Sequence, residues 1–153
     1  MSDGRQRGFT LLEMVCVLAI IAMLASVALP YLPRQTSRPR LQAYALQAVT
    51  LLKSDRAASM RSGMRIDTQI DTSRRLIRAG TGPALKLPDD VAFQATLPRS
   101  CQQRPVRATI SFFPDGLSCG GAITMSRADL SLEIRVNWLT GHIDIVSRGL
   151  AHG

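Results

Sequence analysis

From Phe9 to Leu29 every residue is apolar except Thr10, Glu13 and Ser26. The run ends at Pro-Tyr-Leu-Pro and reaches the roughly 20 residues that cross a bilayer core, so it predicts a membrane helix. The alternative, a buried core helix, would need a larger protein around it. The roughly 100 residues of mixed sequence that follow are too few to enclose a helix that is apolar on every side. A cleaved secretory signal also fits poorly: the run is longer than a usual apolar region, and Pro30 stands directly after the small-residue stretch that cleavage would need.

The pattern then changes twice. Pro30, Pro33 and Pro39 interrupt helical continuity around the polar stretch RQTSRPR. From Leu41 to Ser62, Leu41, Ala45, Ala48 and Leu52 recur at helical spacing among Gln42, Gln47, Lys53 and Arg56, and Gly63 is a fitting stop. Beyond it the period shortens. MRIDTQI and RRLIRAG flank a polar DTS turn, followed by VAFQA, ATISFF with its PDG turn, AITM, and LEIRVNW and HIDIV around LTG. Leu132, Ile134, Val136 and Trp138 alternate with Glu133, Arg135 and Asn137, which predicts a strand with one buried face ending on the tryptophan. The expected organisation is α+β: a membrane-spanning helix over 9–33, an amphipathic continuation over 34–62, and an antiparallel β domain over 63–153. The chain has 153 residues, enough for one such domain and not two.

Charge leaves orientation open, because Arg5 and Arg7 precede the apolar run while Arg34, Arg38 and Arg40 follow it. Past the run, 17 Lys and Arg face 9 Asp and Glu, an excess of about 8 positive charges. The basic residues gather at Arg74, Arg75 and Arg78 and at Arg99, Arg104 and Arg107. Such a balance permits contact with an anionic surface or nucleic acid, but no interleaved aromatics suggest base stacking.

Catalytic chemistry finds little footing. GLSCG over 116–120 satisfies G-x-S-x-G, yet Ser118 follows a β-turn with no helical pattern behind it, so it lacks the strand-to-helix elbow. His142 and His152 are the two histidines, widely separated, and support neither zinc binding nor a Ser/His pair. Asp89, Asp90 and Asp115 suit turns better than metal. The expectation is no enzyme activity, no cofactor and no metal.

One carboxylate stands out. Glu13 lies early in the apolar run with no basic residue inside the run to pair with it, a costly position for a charge. The segment RGFTLLEMVCVLAIIAMLASVALP resembles the class III signal of type IV pilins and type II secretion pseudopilins: a short basic leader ending in glycine, an apolar residue after it, and an early glutamate. The end of the chain, ISFFPDGLSCGGAITM followed by LEIRVNWLTGHIDIV, is similar to the C-terminal pattern of the GspH/FimT group of minor pseudopilins and minor pilins. The resemblance implies a pilin-like fold, with a long N-terminal helix and a β-sandwich-like domain. It further implies a leader over 1–8 removed by prepilin peptidase between Gly8 and Phe9, N-methylation of Phe9, and retention of the apolar helix. The Glu13 carboxylate of one subunit would then meet the Phe9 amine of the next.

The localisation implied is the bacterial inner membrane, with a cytoplasmic N-terminus and a periplasmic C-terminal domain that enters a pseudopilus. The partners implied are major and minor pseudopilins, the prepilin peptidase, the inner-membrane assembly platform and membrane lipid. In an oxidising periplasm Cys101 and Cys119, which flank the ATISFF strand, can pair or remain free thiols, while Cys16 lies in the apolar run. Within the group NWLTGHI looks closer to the type II secretion branch, so the function implied is that of a minor pseudopilin of type II secretion; the alternative is a FimT-like minor pilin whose basic domain binds DNA during uptake.

Overall fold

The computed structural model describes residues 9–28 and 35–149. Two compact units meet at the 35/36 boundary. The first holds helix α1, Leu11–Ala28. Thr10 starts it, its Oγ1 accepting the Glu13 N–H at 3.3 Å, and the acidic Glu13 sits in the first turn, where the helix dipole favours it. Among the described residues no helix is long and apolar enough to cross a membrane; the expected span over 9–33 runs on through positions 29–33, outside the described residues.

The second unit begins with helix α2, Arg38–Ser62. The sequence pattern placed Pro39 in an interrupting hinge and the helix from position 34. The helix in fact starts at Arg38, with Pro39 in the first turn, where its missing N–H costs nothing. At the other end Gly63 takes φ 66° and donates its N–H to the Ser59 carbonyl at 3.0 Å, a left-handed cap that glycine adopts without steric penalty. Leu41, Ala45, Ala48, Val49, Leu52, Asp55 and Ser59 are buried, one stripe at helical spacing.

That stripe lies in a core shared with two four-stranded antiparallel sheets. One has the order β3-β2-β1-β7, from β1 (Ile66–Asp71), β2 (Leu76–Arg78), β3 (Ala84–Lys86) and β7 (Thr109–Phe112). The other has the order β10-β9-β8-β4, from β4 (Ala92–Thr96), β8 (Gly121–Arg127), β9 (Leu130–Val136) and β10 (Ile143–Gly149). Leu52, Ile77, Ile110, Phe112, Ile123, Met125 and Ile134 are the fully enclosed centre. A short ribbon, β5 (Ser100–Cys101) and β6 (Arg104–Pro105), stands apart from both sheets. A helix followed by an antiparallel β domain is the α+β arrangement expected.

Strand β9 departs from the sequence pattern at both ends of its alternation. Leu132, Ile134 and Val136 are buried as the period requires. Trp138 is not: it is 66% exposed. The strand stops at Val136 because the Asn137 side chain accepts the N–H groups of Leu139 (2.8 Å) and Thr140 (3.1 Å), which turns the backbone before Trp138 can join the ladder. On the opposite face Glu133 is buried rather than solvated, with the Arg135 guanidinium 2.6 Å away.

Candidate functional site

The sequence places its functional signal at the start of α1. Phe9 is 80% exposed, and every residue from Phe9 to Ser26 is exposed, although all but Thr10, Glu13 and Ser26 are apolar. This helix buries no face against its own unit. The Glu13 carboxyl has no partner among the described residues, and four residues, about one helical turn, separate it from Phe9. Gly8, the other half of the expected cleavage point, lies outside the described residues. Cys16 is an exposed free thiol on the same helix.

The remaining candidates resolve into structural roles. The Ser118 hydroxyl, buried, donates to the Ser111 carbonyl at 2.9 Å and accepts the Gly120 N–H at 3.1 Å. That serine closes a turn. His142 lies on the surface beside Asp144, with Nε2 2.9 Å from Oδ1. Among the described residues no three His, Cys, Asp or Glu side chains are grouped to hold a metal ion. Asp115 accepts the Leu117 N–H and Asp89 pairs with Arg75. Asp90 does more than shape a turn: it accepts the Thr36 N–H at 2.6 Å and hydroxyl at 2.7 Å, and Arg127 Nε lies 2.8 Å away. Those two Thr36 donors, with Arg127 beside them, hold its carboxyl below the usual carboxylate range. This clasp fixes the chain just ahead of α2.

The two basic groups differ. Arg74 and Arg75 are paired with Asp71 (3.7 Å) and Asp89 (3.0 Å), so part of that concentration is neutralised locally. Arg99, Arg104 and Arg107 form no ion pair among the described residues.

Cys101 and Cys119 are joined as a disulfide, with Cα atoms 5.6 Å apart and a sequence separation of 18. It ties the β5–β6 ribbon to the loop after β7. Loop-closure entropy for that separation amounts to about 3 kcal/mol. Protein from an oxidising compartment is therefore expected to give a linked Cys101/Cys119 peptide under non-reducing digestion. Changing both cysteines to serine should lower unfolding free energy by about that amount. Complete alkylation of both thiols in the native protein would contradict the linkage.

Two features lay beyond sequence reasoning. Asp55, fully buried on α2, accepts Thr68 Oγ1 (2.6 Å) and Gly80 N (2.8 Å) on Oδ2, and Thr81 Oγ1 (3.0 Å) and Thr81 N (3.3 Å) on Oδ1. Its signal was its place on the apolar stripe. Arg56 next to it clamps two loops, donating to the carbonyls of Gly116 at 3.0 Å and Thr140 at 3.2 Å. Those loops touch so closely that a Cβ on Gly141 would stand 2.1 Å from the Gly116 oxygen, and φ there is +62°.

Comparison with known proteins follows these lines. The family described as the prokaryotic N-terminal methylation motif matches residues 3–29. Among solved structures, the minor pseudopilin EpsH from the Type 2 Secretion System of Vibrio cholerae is similar with a TM-score of 0.49 and 11% identity, over 74% of this chain and 98% of that one. Among curated proteins, the type II secretion system protein H of Xanthomonas campestris pv. campestris is 31% identical over 137 residues, 90% of this chain and 81% of its own length. With that identity sustained from the methylation motif through the β domain, the chain belongs to the type II secretion system protein H family.

Proposed function

We propose that this protein is a minor pseudopilin of a type II secretion system, a structural filament subunit rather than an enzyme. On this reading the leader over 1–8 is removed by prepilin peptidase and the Phe9 amine is methylated. The helix over 9–33 holds the subunit in the inner membrane, N-terminus cytoplasmic, until the assembly platform draws it into the periplasmic pseudopilus. The segments over 34–62 and 63–153 form the periplasmic part. Other minor and major pseudopilins and membrane lipid are its partners.

The observation that carries the reading is α1: a helix apolar on all sides, exposed at every position from Leu11 to Ser26, and bearing in its first turn a carboxyl with no partner among the described residues. Such a surface is unfavourable in water and needs a cover from outside the chain. Lipid covers it before assembly, and neighbouring α1 helices cover it afterwards.

Processing tests this directly. Intact mass of the membrane-extracted protein should correspond to a chain starting at Phe9 with one added methyl group. Gly8→Val, which places a branched side chain at the cleavage point, should leave the full-length precursor. A mature chain that begins at another residue, or complete processing of Gly8→Val, would remove the basis for the proposal.

A further inference from the structure

Trp138 is the one tryptophan of the chain, and it stands 66% exposed where the alternation of β9 would have buried it. It does not stand alone. Leu139 is 58% and Leu117 38% exposed, and the loops carrying them are held together by Arg56 through the carbonyls of Gly116 and Thr140. Met60, also exposed, packs its Sδ against Gly116, next to Leu117. At the C-terminal end of α2 these residues form an apolar patch on rigid supports. An exposed tryptophan in such a patch marks a contact surface more often than a defect of the core.

Within the patch lies an open groove of about 330 Å³. Trp138, Leu117 and Phe113 line it together with the Cys101–Cys119 disulfide, and Gln102 lies at its edge. Its Ser118 hydroxyl is already used by Ser111 and Gly120, while Ser100 and Gln102 add polar groups on the ribbon side of an otherwise hydrophobic lining. One side of the groove is the β5–β6 ribbon. Residues 97–113 contain Arg99, Arg104 and Arg107 and no acidic residue. Arg104 stands opposite Cys101 in the ribbon register, and Arg99 adjoins Ser100, itself part of the lining. None of the residues lining the groove is acidic, and the nearest carboxylate in sequence, Asp115, accepts the Leu117 N–H. The ribbon therefore presents uncompensated positive charge beside an apolar slot.

We propose that this groove and its basic ribbon form a docking surface for an acidic segment of a partner protein that inserts an apolar side chain beside Trp138. The charge of the ribbon selects an anionic partner and steers its approach, and the apolar slot supplies the anchor. A single-stranded nucleic acid would match the charge, but stacking platforms present successive rings to successive bases, and here one ring is exposed beside an aliphatic patch. The proposal rests on the filament-subunit reading only for where the partner resides. Binding in solution needs no filament, so its failure and a failure of Gly8 processing are separate results.

The lone tryptophan provides the readout. Full-length protein in zwitterionic bicelles is titrated with a short peptide of alternating Asp or Glu and Leu or Phe, with the same peptide carrying Lys for each acid, and with oligothymidylate. The acidic peptide should shift Trp138 emission to the blue and saturate, with affinity at least about tenfold above the Lys peptide. Arg99→Glu with Arg104→Glu should weaken it about tenfold and flatten its salt dependence. Trp138→Ala, followed by anisotropy of labelled peptide, should weaken it similarly. A thermal unfolding midpoint close to that of the wild type shows that each variant is folded. Equal binding of the Lys peptide, oligothymidylate binding in preference to the acidic peptide, no saturable response, or full affinity in either variant would each overturn the proposal.

Discussion

Asp55→Ala is expected to destabilise the protein by about 3–5 kcal/mol. Both carboxyl oxygens are occupied, and the donors come from three places: β1 through Thr68, and the backbone and side chain of the Gly80–Thr81 turn. Alanine would strand the Thr68 hydroxyl, itself fully buried, and remove the acceptor of the N–H groups of Gly80 and Thr81, residues that stay within reach of water. Each buried donor left without an acceptor costs about 1–3 kcal/mol. Water entering the vacated space recovers part of this, so the sum is not additive. Against a domain stability of about 5–15 kcal/mol the loss is large, and the midpoint of thermal unfolding should fall by roughly 10 °C or more. Asp55→Asn keeps one acceptor oxygen and should fall between wild type and alanine. The measurement is thermal unfolding of the disulfide-intact protein followed by near-ultraviolet circular dichroism. Equal midpoints for the wild type and Asp55→Ala would show that α2 does not depend on this link.

The fold was legible where a single period governs a long segment. Helix α2 followed from Leu41, Ala45, Ala48 and Leu52, and β9 from Leu132, Ile134 and Val136, because burial of one face imposes the period on the sequence. Legibility failed where a side chain redirects the backbone. Trp138 continues the strand pattern, but the Asn137 carbonyl oxygen captures two backbone N–H groups and bends the chain out of the sheet. The β5–β6 ribbon has strands of two residues each, too short for any period to show.

Asp55 lay on the helical stripe in plain view, as 41, 45, 48, 52, 55, 59 shows, and a charged residue type at that position was the available clue. What could not be read was its set of partners, which lie 13 to 26 positions away. The same holds for the two candidate surfaces. The methylation motif is linear and is written along α1 residue by residue. The Trp138 groove is assembled from 100–102, 113–119 and 138, and no local pattern joins them.

Glu13→Ala is expected to abolish or nearly abolish secretion while leaving the protein present, processed and disulfide-linked. The structure supports this separation. Among the described residues the Glu13 carboxyl has no polar partner; its backbone N–H donates to Thr10 Oγ1, a bond that alanine preserves, and alanine suits a helix. No part of the α2 and β-sheet core depends on the carboxyl, so stability of that unit should not change. In an assembled filament the situation reverses. On the proposed reading α1 helices stack with an axial offset, which would place the carboxylate of one subunit near the Phe9 amine of the next in an environment of Leu, Ile, Val and Met side chains. Removing one member of such a pair leaves the other charge uncompensated, at a cost of about 3–5 kcal/mol for each contact. That is a factor of roughly 10² to several times 10³ in subunit association, enough to deplete a filament that grows by repeated additions. Glu13→Gln retains shape and hydrogen bonding without the charge, and should be impaired nearly as much if the ion pair is what matters. The measurement is complementation of a null strain at native expression, with intact mass checked in each variant. Full secretion by Glu13→Ala would show that helix packing sets the register without this carboxylate. Full secretion by Glu13→Gln together with failure of Glu13→Ala would assign the contact to hydrogen bonding instead of charge.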